Sequence, residues 1–188
     1  MQRVITAVLL GASLWGAALG AADLKPVTVE AFDRYIRQAD QRMAARKTFL
    51  WADESPDRAG RVLHGEVVVE PAGNRAQTPV PDGIVHDWIG GVFLPGVSLA
   101  RTMALMRDYD HQKDFYRPEM LDSRTLEHDG DHYRVYMRLV KKMVLTVVLD
   151  TEHDVQYVPV DASRWQSSSR STRIAEVDKP GRPGEHDL

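Results

Sequence analysis

Polar and apolar residues alternate along most of the second half of the chain. Two alternating segments flank the dipeptide Asp129-Gly130, which favours a tight turn between antiparallel strands. The next segment, residues 143–160, has apolar side chains at odd positions and, from Asp150 to Gln156, polar ones at even positions. Residues 164–177 continue as a further extended segment. Because the side chains of a strand point alternately to its two faces, the pattern predicts four antiparallel strands with one apolar face.

A longer period, close to that of an α-helix, runs through Thr28–Leu50. Its apolar residues recur every three or four positions and leave charged residues on the other side, which is typical of a surface helix. Thr28 is predicted to cap this helix. The apolar positions are Phe32, Tyr35, Ile36, Ala39 and Met43.

The pattern between this helix and the alternating segments is more broken. Residues 61–71 predict a strand, residues 72–83 a loop, and residues 84–96 a second strand. Gly90 and Gly91 in that second strand indicate a bulge or a close approach of two backbones. Ser98 is predicted to cap a helix over residues 99–110. The order of helix, two strands, helix and four strands predicts an α+β fold.

The N-terminus has the pattern of a secretory signal. Arg3 is followed by an uncharged run that ends in small residues, so residues 1–22 are predicted to be a signal peptide that is cleaved before Ala21 or Asp23. The alternative is an uncleaved membrane anchor, because a run of about 17 apolar residues is at the lower limit for a span. Cleavage predicts a periplasmic or secreted protein.

Composition narrows the possible functions. The net charge is −3 and no basic stripe is visible, so we expect no nucleic-acid partner. The chain has no cysteine, which excludes disulfides, thiol catalysis and cysteine-zinc sites. Familiar metalloprotease, hydrolase and nucleotide-binding motifs are also absent.

Two acid–histidine clusters, Asp108–Asp114 and His128–His132, raise the question of a metal site. In the first, Asp110 and His111 are adjacent and therefore diverge on a helix. The second is explained by turn chemistry, although its two histidines could bind a transition metal weakly. We therefore predict neither a metal site nor a cofactor. The aromatic residues of Tyr109–Met120 are interpreted as the anchor of a helix-to-strand turn.

Two polar features interrupt the predicted strands. Serines recur on the last strand, and they form either a solvent-facing edge or, at alternate positions, a cavity wall that offers hydroxyl groups to a ligand. His153 shares its parity with Leu149 and is therefore expected on the apolar face. It is either hydrogen-bonded to a neighbour at the strand end or a polar contact inside a ligand pocket. The serines are Ser167, Ser168, Ser169 and Ser171.

A short helix, then "YDHQKDFYRPEM", then the hairpin "DSRTLEHDGDHYRVYMRL" resembles the START-like superfamily, which includes polyketide cyclases, coenzyme-Q-binding proteins and lipid-transfer domains. The stretches "HDWIGGVFLPG" and "VVLDTEHDVQY" resemble an exported, mostly uncharacterised bacterial branch of it. The resemblance covers roughly half of the chain.

The resemblance implies a helix-grip fold, in which a curved antiparallel sheet has helices on one side. It would place a START-like domain at residues 61–177, after an N-terminal helix and linker at residues 23–60 and before a polar tail at residues 178–188. The superfamily closes its sheet with further strands and a long C-terminal helix, which the sequence does not show. The domain is therefore expected to be C-terminally incomplete.

The resemblance implies a binding module for a hydrophobic small molecule, such as a lipid, a quinone or a polyketide-like compound. The alternatives are a cyclase or aromatase that uses His153 or His86 for acid–base chemistry, and a truncated fragment without function. No catalytic residue is assigned, a transient membrane contact is left open, and the oligomeric state is not predicted. The predicted cavity wall comprises Trp88, Tyr133, Val135, Met137, Leu139, Leu145, Val147, His153, Val155 and Tyr157.

Overall fold

The computed structural model describes residues 25–73, 75–142 and 146–187, and over these the protein is an α+β structure with a strongly curled antiparallel sheet. The predicted signal peptide and the predicted wall residue Leu145 lie outside the described residues. The helices are α1 (Pro26–Ala44), a 3-10 helix (Trp51–Glu54), α2 (Pro56–Leu63), α3 (Leu99–Arg107) and α4 (Gln112–Phe115). The strands are β1 (Val68–Pro71), β2 (Gln77–Val80), β3 (Gly83–His86), β4 (Trp88–Gly91), β5 (Met120–Asp129), β6 (His132–Lys142), β7 (Thr146–Asp161), β8 (Arg164–Asp178) and β9 (His186–Asp187).

The main sheet contains β5 to β9 in sequence order, each strand antiparallel to the next. The predicted hairpin at Asp129-Gly130 is confirmed, and Gly130 has a φ of 57°, which a glycine adopts without strain. The pairing of β7 with β8 shifts its register between Glu152 and His153. Such irregularities bend and twist a strand locally, and they contribute to the curl of the sheet.

The two faces of this sheet differ in chemistry. Its inner face carries Val135, Val155 and Tyr157 in a buried cluster that also includes Tyr133 and, from the segment after α3, Tyr109. Partly buried Met103, Met137 and Trp165 pack against this cluster.

The outer face carries a partly buried ion pair, in which Asp150 is the buried member. The Arg138 guanidinium donates two hydrogen bonds to the Asp150 carboxylate, at 2.7 and 2.8 Å, and the Tyr136 hydroxyl donates a third at 2.6 Å. Arg138 holds the pKa of Asp150 below its usual value, and burial together with the bond to Asp150 raises the pKa of Tyr136 to about 12. Glu185, near the end of the described chain, binds Arg138 at 2.8 Å.

The first helix begins three residues before its predicted start. Lys25 is the N-cap residue and Pro26 occupies the first turn, where a missing N–H group costs nothing. Thr28 is therefore not the cap but a buried residue inside the helix, and the helix ends at Ala44 rather than Leu50.

The predicted strand at residues 61–71 is wrong in its first part. Residues 56–63 form α2, for which Ser55 is the N-cap and accepts a hydrogen bond from the Arg58 N–H at 3.4 Å. Pro56 occupies the first helical turn. Only Val68–Pro71 is extended.

The predicted loop at residues 72–83 also contains a strand. β2 pairs with β3 in a hairpin around Pro81 and Asp82, while β4 pairs with β1 in a separate two-stranded sheet. The predicted close approach at Gly90 is confirmed, since a Cβ atom there would lie 3.1 Å from the carbonyl oxygen of Val68.

The N-terminal helix packs near the β2–β3 hairpin. Tyr35 donates a hydrogen bond of 2.7 Å to Asp87, and Lys25 pairs with Asp82 at 3.0 Å. Phe32 and Ile36 are 46 % and 39 % exposed, so its apolar stripe is only partly covered. Among the described residues, no helix has the length and apolar character that a membrane span requires.

Candidate ligand-binding cavity

A pair of tyrosine hydroxyls fixes the segment from α3 to α4 over the inner face of the sheet. The hydroxyl oxygens of Tyr109 and Tyr157 are 2.7 Å apart, and Tyr157 also donates to the main-chain oxygen of Met106 at 3.0 Å. The ring of Tyr133 packs against both tyrosines, with centroid distances of 5.6 and 5.8 Å. Burial and the neighbouring phenol raise the pKa of Tyr109 far above its usual value, so it stays a neutral hydroxyl.

The acidic residues of this segment have separate structural partners. Asp110 accepts a hydrogen bond from the Thr125 N–H at 2.8 Å, which ties the segment to β5. Asp108 contacts Nδ1 of His111 at 2.7 Å, and this contact raises the pKa of that histidine. Asp114 forms an ion pair with Arg117. The cluster that suggested a metal site is thus a set of local pairs around a helix end.

A cavity of about 430 Å³ lies between this segment and strands β6, β7 and β8. The helical side contributes apolar and aromatic side chains and one glutamine, and the sheet contributes a methionine, a valine, a tyrosine and two serines. The lining residues are Leu105, Met106, Tyr109, Gln112, Phe115, Tyr116, Met137, Val155, Tyr157, Ser167 and Ser169.

Three of the predicted wall residues, Met137, Val155 and Tyr157, line this cavity. Tyr133 and Val135 belong to the buried cluster but do not line the cavity. Strand parity therefore selects the face of the sheet that bears this cavity and three of its lining residues.

Other predicted wall residues lie elsewhere. Trp88 is on β4, in the small sheet with β1, and is 54 % exposed, so its assignment to the wall is wrong. Leu139 and Val147 are partly buried towards the far end of β6 and β7, away from the lining residues. His153 lies beyond the cavity lining on β7. Parity assigns a face, but it does not say how far along a strand the covering segment reaches.

The helical half of the wall was not predicted. Phe115 and Tyr116 were interpreted as anchors of the turn, yet they are 62 % and 59 % exposed and border the cavity. Tyr109 and Met120 are the buried anchors, at 5 % and 7 % exposure. The available signal was the number of aromatic residues in one short segment, which exceeds what a turn of that length can bury.

The serines of β8 include the polar part of the wall. Ser167 and Ser169 are paired across the sheet with Tyr157 and Val155 and share their face, whereas Ser168 is opposite Gln156 and points to the other side. The hydroxyl groups of Ser167 and Ser169 make no hydrogen bond within the described part of the chain. Both interpretations of this serine run describe part of it, because Ser167 and Ser169 line the cavity and are also exposed to solvent on a stretch of β8 that pairs with no further strand among the described residues.

His153 is held in one orientation by two hydroxyl groups. Its Nε2 lies 3.0 Å from the Thr151 hydroxyl, and that hydroxyl donates its proton to the main-chain oxygen of Met137. Nε2 must therefore be the protonated nitrogen, and Nδ1 accepts from the Ser171 hydroxyl at 3.2 Å. Burial lowers the pKa of His153, which favours the neutral ring. Both nitrogens are used in structural bonds, and no carboxylate orients the ring as in a catalytic triad.

A cation beside the cavity, Arg107, contacts a carboxylate and two aromatic rings. Arg107, in the last turn of α3, pairs with Asp131 at 2.6 Å, and its guanidinium lies over the rings of Tyr157 and Trp165 at 4.9 and 4.8 Å. This contact fixes the end of α3 to the β5–β6 hairpin. A cation in the last helical turn also complements the helix dipole.

The second acid–histidine cluster does not converge on one point. His128 stacks on Tyr133 with a centroid distance of 4.2 Å, and its Nε2 contacts the main-chain oxygen of Gly130. His132 is exposed, and His86, the other candidate for acid–base chemistry, is exposed on β3 outside the cavity. Over the residues that the structure describes, no three acidic or histidine side chains are grouped as metal ligands.

Comparison of the chain with protein-family models, with curated proteins and with solved structures finds no match.

Proposed function

We propose that the protein binds or transports a hydrophobic small molecule, such as a lipid, a quinone or a polyketide-like compound, in the inner-face cavity. The observation that carries this proposal is a mainly apolar cavity of about 430 Å³ beside a fixed helical segment. Its volume falls within the range of roughly 300–1,000 Å³ that is usual for ligand pockets. The apolar wall favours a ligand that loses contact with water on binding.

The helix-grip fold is part of the same proposal. The curled antiparallel sheet and the segment from α3 to α4 on its inner face are compatible with the START-like resemblance of the sequence, and that superfamily uses such a cavity for apolar ligands. The predicted signal peptide would place the binding protein in the periplasm or outside the cell. A neutral apolar ligand would need a carrier there, because it dissolves poorly in water.

Catalysis by a cyclase or aromatase is less well supported. It would require an acid–base group inside the cavity, but His153 does not line it and both of its ring nitrogens are engaged. His86 lies on the β2–β3 hairpin. Binding needs only the shape and the apolar wall that are present.

A dye titration with two matched variants tests the proposal. Diphenylhexatriene is a neutral hydrocarbon whose fluorescence rises in an apolar environment. Leu105, at the cavity wall, and Leu50, before the 3-10 helix, are 53 % and 54 % exposed, so replacing either by lysine should perturb folding to a similar degree. If the lysine loses half of the apolar contact that Leu105 makes with the dye, the free energy of binding weakens by about 1 kcal/mol, which is roughly a fivefold change in Kd.

We expect the unmodified protein and Leu50→Lys to bind the dye with the same affinity, and Leu105→Lys to bind it at least fivefold more weakly. Absence of dye binding by the unmodified protein, or equal weakening by the two variants, would contradict the proposal.

A further inference from the structure

The cavity wall is uncharged. Within the described residues, its lining consists of aliphatic and aromatic side chains, one amide and two serines. A charged group placed against this lining would lose hydration without gaining an opposite charge, which is strongly unfavourable. Charge on the ligand is therefore selected against by the wall itself.

Arg107, whose guanidinium lies over the ring of the lining residue Tyr157, does not change this conclusion. The guanidinium of Arg107 is bound to Asp131 at 2.6 Å and lies against two aromatic rings. Asp131 already compensates the charge of Arg107, so an anionic head group would have to compete with that carboxylate for the guanidinium. The pair also holds the end of α3, so weakening it would loosen the wall that forms the cavity.

The wall nevertheless has a polar strip. Ser167 and Ser169 are two residues apart on the same face of β8, which places them about 7 Å from each other along the strand. Each hydroxyl can donate one hydrogen bond and accept others. The α3–α4 segment faces them with mostly apolar and aromatic side chains and with the amide of Gln112.

Farther along the strand the strip loses its free hydroxyls. The Ser171 hydroxyl donates to Nδ1 of His153. Burial lowers the pKa of His153, so this end of the strip also lacks a formal charge near neutral pH. On β8, the hydroxyls that can reach a ligand are therefore those of Ser167 and Ser169.

We propose, on the basis of the function proposed above, that the ligand is an uncharged amphiphile whose hydroxyl or carbonyl oxygens hydrogen-bond to Ser167 and Ser169 while its apolar body packs against the α3–α4 segment. Long-chain alcohols, sterols, neutral glycerides and quinones belong to this class. Free fatty acids and cationic amphiphiles do not.

A series of probes with one chain and three head groups tests this inference. Dodecanol below its solubility limit, and dodecanoate and dodecyltrimethylammonium below their micelle concentrations, compete with bound diphenylhexatriene. We expect dodecanol to displace the dye at a concentration at least tenfold lower than either charged probe. This comparison uses the unmodified protein and does not depend on the folding of any variant.

Serine variants locate the head group. Ser167→Ala/Ser169→Ala should weaken dodecanol binding roughly fivefold to tenfold, since one or two hydrogen bonds are lost. Ser168→Ala, on the opposite face of the same strand, should leave it unchanged. The hydrocarbon dye forms no hydrogen bonds, so its affinity should be the same in all three proteins.

The outcomes separate the two proposals. Absence of dye binding would overturn the proposed function. Dye binding together with equal or tighter binding of a charged probe, or with no effect of the double serine variant on dodecanol, would overturn only the assignment of a neutral head group to Ser167 and Ser169.

Discussion

The hydroxyl group of Tyr109 donates a hydrogen bond of 2.7 Å to that of Tyr157, and both side chains are almost completely buried. The direction of this bond follows from the second one, because the only proton of the Tyr157 hydroxyl is used on the main-chain oxygen of Met106 at 3.0 Å. The two bonds connect β7 with the end of α3. They therefore determine the spacing of the two walls of the cavity.

Removing the hydroxyl of Tyr109 and removing that of Tyr157 should destabilise the protein to different degrees. Tyr109→Phe removes one donor, and we expect a loss of about 1 kcal/mol in the free energy of unfolding. Tyr157→Phe leaves the buried hydroxyl of Tyr109 without its acceptor, so we expect a larger loss of about 2 kcal/mol. Urea titration measures both. Tyr116→Phe, at an exposed position, should change stability by less than about 0.5 kcal/mol. Equal effects of all three would show that the tyrosine pair does not hold the segment.

The ion pair between Arg138 and Asp150 predicts that the stability of the protein depends on the charge of Asp150 in β7. Asp150→Asn leaves Arg138 with only part of its charge compensation and should lower the free energy of unfolding by about 2–3 kcal/mol. Asp154→Asn lies on the same face of the same strand, and we expect a change of less than about 0.5 kcal/mol. Denaturant unfolding at neutral pH compares the two. If Asp150→Asn leaves the free energy of unfolding unchanged, the bonds among Tyr136, Arg138 and Asp150 contribute little to the stability of the sheet.

Acid should remove the difference between Asp150→Asn and the unmodified protein. Arg138 lowers the pKa of Asp150 in the folded state, so the stabilisation is fully present above the ordinary aspartate pKa, near 4. It is lost as the pH falls through the lower pKa of the folded state. The stability curves of the two proteins should therefore converge at acidic pH. Curves that stay parallel down to the acid limit would contradict this.

His153 predicts a pH dependence nearer to neutrality. Burial lowers its pKa, so the unfolded chain takes up a proton at a higher pH than the folded protein. The free energy of unfolding should therefore decline as the pH falls below about 6.5 and continue to decline through the pKa of the folded state. His153→Gln should lack this part of the decline. A steeper decline in the variant would show that the folded protein binds the proton more tightly.

Two glycines in the N-terminal part should respond to alanine in opposite directions. At Gly90 a Cβ atom would meet the carbonyl oxygen of Val68 at 3.1 Å, and we expect Gly90→Ala to lower stability by about 1 kcal/mol. At Gly60, inside α2, nothing lies within 4 Å of a Cβ atom, and Gly60→Ala should raise stability by roughly 0.5–1 kcal/mol. Thermal unfolding of both variants distinguishes them, and a gain from Gly90→Ala would refute the close approach.

The sequence predicts the second half of the fold well because its signals are local. Period-two alternation and the Asp129-Gly130 turn identify β5 and β6, and Ser98 marks the start of α3, where it accepts a hydrogen bond from the Arg101 N–H. The first half fails where a local signal is ambiguous. Gly60 and the apolar pair Val62 and Leu63 fit a loop or a strand as well as a helix. The signal for the helix is the cap at Ser55, before Pro56.

The β2 strand shows a second reason for failure. It contains Pro79, which usually argues against a strand, but β2 has one neighbour and can accept a residue without an N–H group on its free side. The pairing with β3 determines its conformation more than its own composition does.

The cavity could be predicted only on its sheet side. Parity along β6 and β7 places Met137, Val155 and Tyr157 on one face, and the position of the serines on β8 follows from the same rule. The helical side depends on where the α3–α4 segment crosses that face. This is decided by long-range contacts such as that between Asp110 and the Thr125 N–H, which no local pattern encodes.

Photolabelling tests the central claim most directly, because it reports where an apolar ligand sits. A neutral long-chain alcohol with a diazirine in its chain is irradiated with the purified protein, and the labelled peptides are identified by mass spectrometry. We expect labels in the helical wall at residues 105–116 and in the β8 peptide with Ser167 and Ser169, reduced by excess dodecanol and by Leu105→Lys. Labelling that concentrates on the exposed loop at residues 92–97, or that excess dodecanol does not reduce, would contradict a binding site in the inner-face cavity.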